Sequence, residues 1–335
     1  MVGPTETTAP VVARKIIVVK LPFDLQERML AFPFLHVLSE RYPNAELHFI
    51  TPKLQIEVLN LLPFKAYYHE FDEDEIETIF DVHRFAITAK IYTVDLYISL
   101  TNQFADALLG VALKAKQRLG FSDGWKTFFF NQKTSRPVGH HICEDFFSLL
   151  KVNLGGEINT TIKVASRDLP PVIEQSDTQP YVAINLSPIR NEEIEQEWVD
   201  LISQFENQRF VFFGGDDQIK VNQQMGLFMT KLPRETGNSY MNYLLRDPIE
   251  IAKMMAHSRG VVTYNGPMAS VSAYTGAKTL ILCDREDPQR YGPFYFLGES
   301  VQMGPEDVST EGVLKGRKIF NMGVVADRIH GFFNL

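Results

Sequence analysis

The chain has 335 residues, 45% of them hydrophobic and 22% charged, enough apolar material for more than one core, so two domains of about 150 residues each are expected. Lys and Arg number 33 against 41 Asp and Glu, for a formal charge of −8, which argues against a general nucleic-acid binder because a phosphate backbone rewards excess cations. Only Cys143 and Cys283 are present, each in apolar surroundings, and they read as buried free thiols suited to a reducing cytoplasm.

Residues 1–14 form a polar leader without the basic start or apolar stretch of a signal peptide. No apolar run approaches the roughly 18 residues of a membrane helix, so a cytoplasmic protein is expected, with any membrane contact peripheral at the inner membrane. The β-branched run Lys15 to Leu21 predicts a buried strand, and Pro22-Phe23-Asp24 a loop. Residues 25–41 carry apolar positions at helical spacing, with Pro33 kinking or opening the helix. A second strand follows at Glu46 to Thr51, so an α/β domain over 15–165 opens here. The acidic run 70–77 lacks cation-binding spacing and reads as solvated.

Asp95 to Leu100 predicts another strand and Gln103 to Lys116 a helix. Lys114, Lys116, Arg118 and Lys126 form a basic cluster; Lys114 and Arg118 are candidates to hold an acceptor bearing phosphate or carboxylate, the alternative being a solvated face. The adjacent His140 and His141 point in different directions on a helix, with no carboxylate at metal spacing, and read as structural. No metal site or cofactor is expected.

Residues 166–180 are polar and proline-bearing and read as a linker into a second α/β domain, 181–317. Its first strand, Tyr181 to Leu186, leads into Ser187-Pro188-Ile189-Arg190, where Arg190 is the one nearby cation able to hold a diphosphate bidentately, against Glu192, Glu193 and Glu195. The strand Phe210 to Phe213 ends in Gly214-Gly215, which lets a ligand approach the backbone. Asp247-Pro248 opens a helix into Gly260-Val261-Val262-Thr263, a short buried strand. Next come Tyr264, then Asn265-Gly266-Pro267 as a helix start, Met268 and small residues, Gly276 as a stop, and a strand at Thr279 to Cys283. A helix N-terminus with little side-chain bulk at the end of a parallel strand suits an anion; tight helix-on-sheet packing is the alternative. Residues 318–335 are expected to close the chain as a helix.

The order of strand, Asn265-Gly266-Pro267-Met268, helix, strand and Asp287-Pro288-Gln289-Arg290-Tyr291-Gly292-Pro293 resembles the donor-binding segment of the bacterial heptosyltransferases, glycosyltransferase family nine. That family usually carries Asp-(Thr or Ser)-Gly-Pro-Met-His where this chain has Tyr264-Asn265-Gly266-Pro267-Met268-Ala269. The resemblance extends to Arg41-Tyr42-Pro43-Asn44-Ala45, Arg118-Leu119-Gly120-Phe121 and the helix after His140-His141. It implies a GT-B architecture, two Rossmann-like α/β domains facing a central cleft, and inverting transfer of a sugar from a nucleotide diphosphate sugar to a lipopolysaccharide-core or related glycan acceptor, a glycan or a lipid-linked glycan. It places Ser187, Arg190, Gly214, Gly215, Tyr264, Asn265, Gly266, Pro267 and Met268 on the donor. Gln26-Glu27 falls where the family has Gly-Asp, whose aspartate is the general base, so Glu27 is the implied base, with Asp24 competing if the loop gap falls elsewhere. The family's donor-loop acid and histidine, its phosphate lysine and its Gly-Asp pair are all replaced. A catalytically inactive homologue acting as a binding or regulatory protein is therefore the second expectation.

Overall fold

A computed structural model describes residues 14–53, 56–72, 76, 78–137, 139–154, 180–185, 192–205, 207–214, 226–232, 238–242, 248–283, 288–293, 300–303, 308–314 and 317–335. The first sheet contains β1 (Ile16–Lys20), β2 (Glu46–Pro52), β3 (Tyr67–Phe71), β4 (Leu96–Ser99), β5 (Gln117–Phe121) and β6 (Gln132–Thr134). Its spatial order is β3-β2-β1-β4-β5-β6, with every pairing parallel. The second contains β7 (Tyr181–Asn185), β8 (Arg209–Gly214), β9 (Ser239–Asn242), β10 (Gly260–Tyr264), β11 (Thr279–Leu282) and β12 (Ser300–Met303). Its order, β12-β11-β10-β7-β8-β9, is the same winding counted from β7, again all parallel.

Parallel sheets need cover on both faces, which is why their strands read as unbroken apolar runs. In β1, Ile17 and Val19 enter one core while Val18 enters another. The connection from β1 to β2 breaks into α1 (Leu25–Leu30) and α2 (Phe32–Arg41), with Ala31 between them and Pro33 in the first turn of α2, where its missing N–H costs nothing. On the opposite face lie α3 (Ile79–Thr88) and α4 (Phe104–Ala112), followed after β5 by a 3₁₀ helix, Gly124–Phe129; α5 (Ile142–Leu154) follows β6 and packs on α2.

In the second half come α6 (Glu192–Ile202), α7 (226–231), α8 (Pro248–Ala256), α9 (Pro267–Tyr274) and α10 (Pro288–Tyr291). An antiparallel pair, β13 (Val308–Leu314) and β14 (Arg317–Phe320), precedes α11 (Met322–Phe333). The closing helix thus starts at Met322 and not at 318: residues 317–320 pair as a strand, and the Asn321 side chain then accepts from the N–H groups of Gly323 and Val324. Gly260 on β10 faces the Phe333 ring so closely that a Cβ there would lie 2.1 Å from it.

The halves share a core. Ile17, Phe34 and Phe146 from the first join Ala183, Val211, Val271 and Tyr274 from the second in one buried cluster. Tyr274, the last residue of α9, packs edge-on against Phe32 at 5.1 Å between ring centroids. Its hydroxyl lies 2.9 Å from His36 Nε2 and donates to the Leu61 carbonyl at 3.3 Å. With that proton given to Leu61, the hydroxyl accepts from His36 Nε2–H, which fixes one neutral tautomer. Burial pushes the His36 pKa down from 6.5 to about 4, because an imidazolium there would lose its water.

Two outcomes follow. Gly260→Ala should destabilise the protein by about 1–3 kcal/mol, the usual range for overpacking, read as a lower urea midpoint. His36 contributes stability that is complete above its unfolded pKa of 6.5 and is lost as pH falls through about 4, since only the unfolded state binds the proton in that window. His36→Gln should therefore flatten the acid limb of urea-unfolding stability between pH 6.5 and 4; an unchanged slope would mean that His36 is not held neutral.

Candidate functional site

In an open sheet wound 3-2-1-4-5-6, ligands bind beyond the carboxyl ends of the strands where the winding reverses. Those points lie between β1 and β4 and between β7 and β10. In the second sheet a buried bond from Asn185 Nδ2 to Thr263 Oγ1, 3.0 Å, ties β7 to β10 just below the reversal. Beyond it, β10 ends at Tyr264 and the chain turns through Asn265 and Gly266 into α9.

Pro267 occupies the first turn, and Gly266 at the N-cap has extended backbone (φ 166°) with no side chain to cap the helix. A Cβ at Gly266 would meet nothing within 4 Å, so the space over the helix start is open. Beside it, both amide atoms of Asn265 and the Ser270 hydroxyl one turn into the helix are shielded from solvent and carry no hydrogen bond among the described residues. Unpaired buried polar groups are costly. Together with the positive end of a helix dipole, they suit an anionic ligand that brings its own hydrogen-bonding groups.

At the reversal in the first sheet, Asp24 caps α1, its Oδ1 accepting from Glu27 N–H at 3.0 Å. Asp24 is exposed and Glu27 half-buried in the first turn. Arg28 holds the preceding loop, its Nη2 donating to the Phe23 carbonyl at 2.9 Å, and burial takes its pKa to about 10. α1 packs directly on α9, so the helix that carries both candidate carboxylates lies against the helix that opens at Gly266.

A second set of bonds fixes this juxtaposition. Gln26 Nε2 donates to the Tyr291 carbonyl at 2.9 Å, and His141 Nε2–H donates to the Gly292 carbonyl at 2.7 Å while its Nδ1 accepts from Cys143 N–H. His141 is thereby held as one neutral tautomer, with burial lowering its pKa. Arg290 donates to the His140 carbonyl at 2.6 Å and to the fully buried Asp145 at 2.8 Å. The segment 290–292 is thus clasped by α1 and by the start of α5.

The other sequence candidates fall as follows. Ser187, Arg190 and Gly215 lie outside the described residues. Gly214 ends β8 and pairs in register with Asn242. Tyr264 is half-buried with its ring edge toward Phe320, 6.5 Å between centroids, and Met268 packs against the shared core. Lys114 and Arg118 are not brought to this place. Lys114 is exposed in a left-handed turn (φ 53°) after α4, ahead of β5. The Arg118 guanidinium donates to the carbonyls of Phe129 at 2.7 Å and Ala115 at 2.9 Å near the amino end of β5, remote from Asp24 and Glu27. Lys126, grouped with them in sequence, is at the other end of that strand, buried, with Nζ donating to the Asn102 carbonyl at 3.2 Å. Five residues of strand, roughly 17 Å, split the cluster between two edges.

Sequence reading missed the roles of Gln26, Tyr274 and the Arg290–Asp145 pair. The His140-His141 and Tyr291-Gly292-Pro293 motifs were visible separately, but nothing in either said that they meet.

No protein-family model and no curated protein matches the chain. Solved structures match over nearly its whole length. ADP-heptose lipopolysaccharide heptosyltransferase II of E. coli superposes with a TM-score of 0.73 at 15% identity, covering 96% of this chain and 98% of that one. A glycosyl transferase family 9 protein from Veillonella parvula gives 0.74 at 16%, covering 96% and 97%. E. coli heptosyltransferase WaaC, solved with ADP, gives 0.71 at 12%, covering 95% and 99%. At these identities the likeness establishes the fold: two parallel-sheet α/β domains in the GT-B arrangement, that of the proteins to which the sequence motifs pointed.

Because a side chain at Gly266 has room in the folded protein, Gly266→Val should leave the thermal midpoint within about 1–2 °C while weakening nucleoside diphosphate binding at least tenfold in calorimetry. Equal affinity in the variant would place the nucleotide elsewhere.

Proposed function

We propose that this protein is a heptosyltransferase-like glycosyltransferase, transferring a sugar with inversion from a nucleotide diphosphate sugar to a lipopolysaccharide-core or related glycan acceptor. The observation that carries this is the packing of α1, the helix that Asp24 caps and that carries Glu27, on α9, at whose start the Asn265 amide has no hydrogen bond among the described residues. The fold shared with heptosyltransferases, one of them solved with ADP, supports it.

The donor diphosphate lies over the start of α9, where backbone N–H groups and the helix dipole stabilise the charge that grows as the sugar–phosphate bond breaks. Glu27 takes the proton of the acceptor hydroxyl as its oxygen attacks the anomeric carbon from the opposite face. Asp24 caps α1 through one carboxylate oxygen, and Glu27 is the base that the resemblance implies, with Asp24 the competing candidate. Arg190 serves the phosphates in place of the family's lysine. The acceptor is a glycan or a lipid-linked glycan, and any membrane contact is peripheral.

One observation favours a second reading, a binding protein without transferase activity. Gln26, where the family has glycine, is buried and bonded across to Tyr291, so α1 is pinned at the position where the family's backbone is freest.

Turnover separates the two. Glu27→Gln should retain nucleotide binding and lower transfer by about 10²–10⁴, the range general-base catalysis supplies, with Asp24→Asn as the paired control. If neither substitution alters turnover, or if the parent protein neither transfers nor hydrolyses any donor that it binds, the transferase reading fails.

A further inference from the structure

At the edge of the first sheet opposite Asp24 and Glu27, a cavity of about 450 Å³ opens between the residues that lead into β1 and the turn that joins α2 to β2. That volume lies in the range of small-molecule sites, about 300–1,000 Å³. Arg14 and Lys15 line it from one side; Arg41 in the last turn of α2, Tyr42 and the turn from Pro43 to Ala45 line it from the other. Three of its seven lining residues are cations and none is an acid, in a chain whose formal charge is −8.

The walls are held by bonds that leave the three charges unspent. The Lys15 carbonyl accepts from Glu46 N–H at 2.8 Å, and Ala45 N–H donates to the Tyr42 carbonyl at 3.0 Å, closing the turn. The Tyr42 hydroxyl donates to Asn153 Oδ1 at 2.8 Å, which fixes the ring with Lys15 Nζ 5.1 Å from its centroid.

The acids of this edge are engaged elsewhere. Asp95 accepts from Lys116 Nζ at 2.7 Å and from Ile16 N–H at 2.9 Å, and Glu46 lies 3.9 Å from His48 Nε2. Arg14, Lys15 and Arg41 form no ion pair among the described residues. The leader ahead of Arg14 brings a single acid, Glu6, too little to neutralise them. Arg41 also meets the negative end of the α2 dipole; Arg14 and Lys15, ahead of a strand, have no such role, since sheets carry only small dipoles.

Like charges around one concavity repel each other until an anion neutralises them. Two guanidinium forks match phosphate oxygens bidentately, and an ammonium adds a point charge. A single phosphate, at about −1.5 to −2, falls short of three cations, whereas a diphosphate meets them. We infer that this cavity binds the diphosphate group of a soluble small molecule, as a second anion site apart from the start of α9. The five residues of β1, roughly 17 Å of strand, separate Arg14 and Lys15 from the loop that carries Asp24. The inference does not rest on the transferase reading.

Calorimetry with inorganic pyrophosphate on Gly266→Val, whose substitution obstructs the start of α9, isolates this site. One site is expected, at least tenfold tighter for pyrophosphate than for inorganic phosphate and weaker in high salt. Adding Arg14→Gln and Arg41→Gln should lower the affinity at least tenfold. Asn44→Asp, which sets a carboxylate among the lining residues, should lower it as well. All three positions are exposed, so the thermal midpoint without ligand should stay unchanged. No binding at millimolar pyrophosphate would overturn the inference. So would binding that the charge substitutions leave unaltered, or equal affinity for the two anions, which would mark general screening of surface cations.

Discussion

The contact between α9 and the pair α1–α2 is the constraint on which the rest of this structure depends. Parallel sheets expose their chemistry at one edge only, the carboxyl ends of the strands, so two such domains can build a joint site only if those edges are held toward each other. Tyr274 does this from the far end of α9: its ring rests on Phe32, and its hydroxyl joins His36 to the Leu61 carbonyl. Gln26 and His141 fix the other side by holding the carbonyls of Tyr291 and Gly292. Losing His36 or Tyr274 would therefore disturb the mutual placement of Glu27 and Gly266 without touching either.

Much of the fold was legible because buried parallel strands announce themselves. Ile16 to Val19, Phe210 to Phe213 and Val261 to Thr263 need no alternation, having protein on both faces. The turn into α9 was legible for a different reason, since Asn-Gly-Pro ahead of small residues has few other uses. What stayed hidden depends on distance along the chain. Gln26 bonds a carbonyl 265 residues away, and no local pattern records that. The basic cluster misled because neighbours in sequence flank β5: Arg118 at its start and Lys126 just past its end serve opposite edges. The closing helix was read too early because Arg317 to Phe320 carries no signal that separates a short paired strand from a helix start.

The candidate site combines a conserved geometry of winding with altered chemistry at its corners. Tyr264 stands where the resembled donor loops carry an acid and Asn265 where they carry Thr or Ser, and the Asn265 amide has no partner among the described residues. An amide offers both a donor and an acceptor, so it can serve a ligand that presents hydroxyl and phosphate groups together. Glu27 is a half-buried carboxylate in the first turn of α1.

Hydrogen exchange with and without a saturating nucleoside diphosphate tests the central claim most directly, because it reports where along the chain the ligand acts. The structure predicts new protection concentrated in the amides of Gly266 and Met268 at the start of α9, since those of Ala269 and Ser270 already donate to the Gly266 carbonyl, with a smaller effect in α1 across the seam. Protection confined to other segments, or no protection by any nucleotide at millimolar concentration, would contradict it.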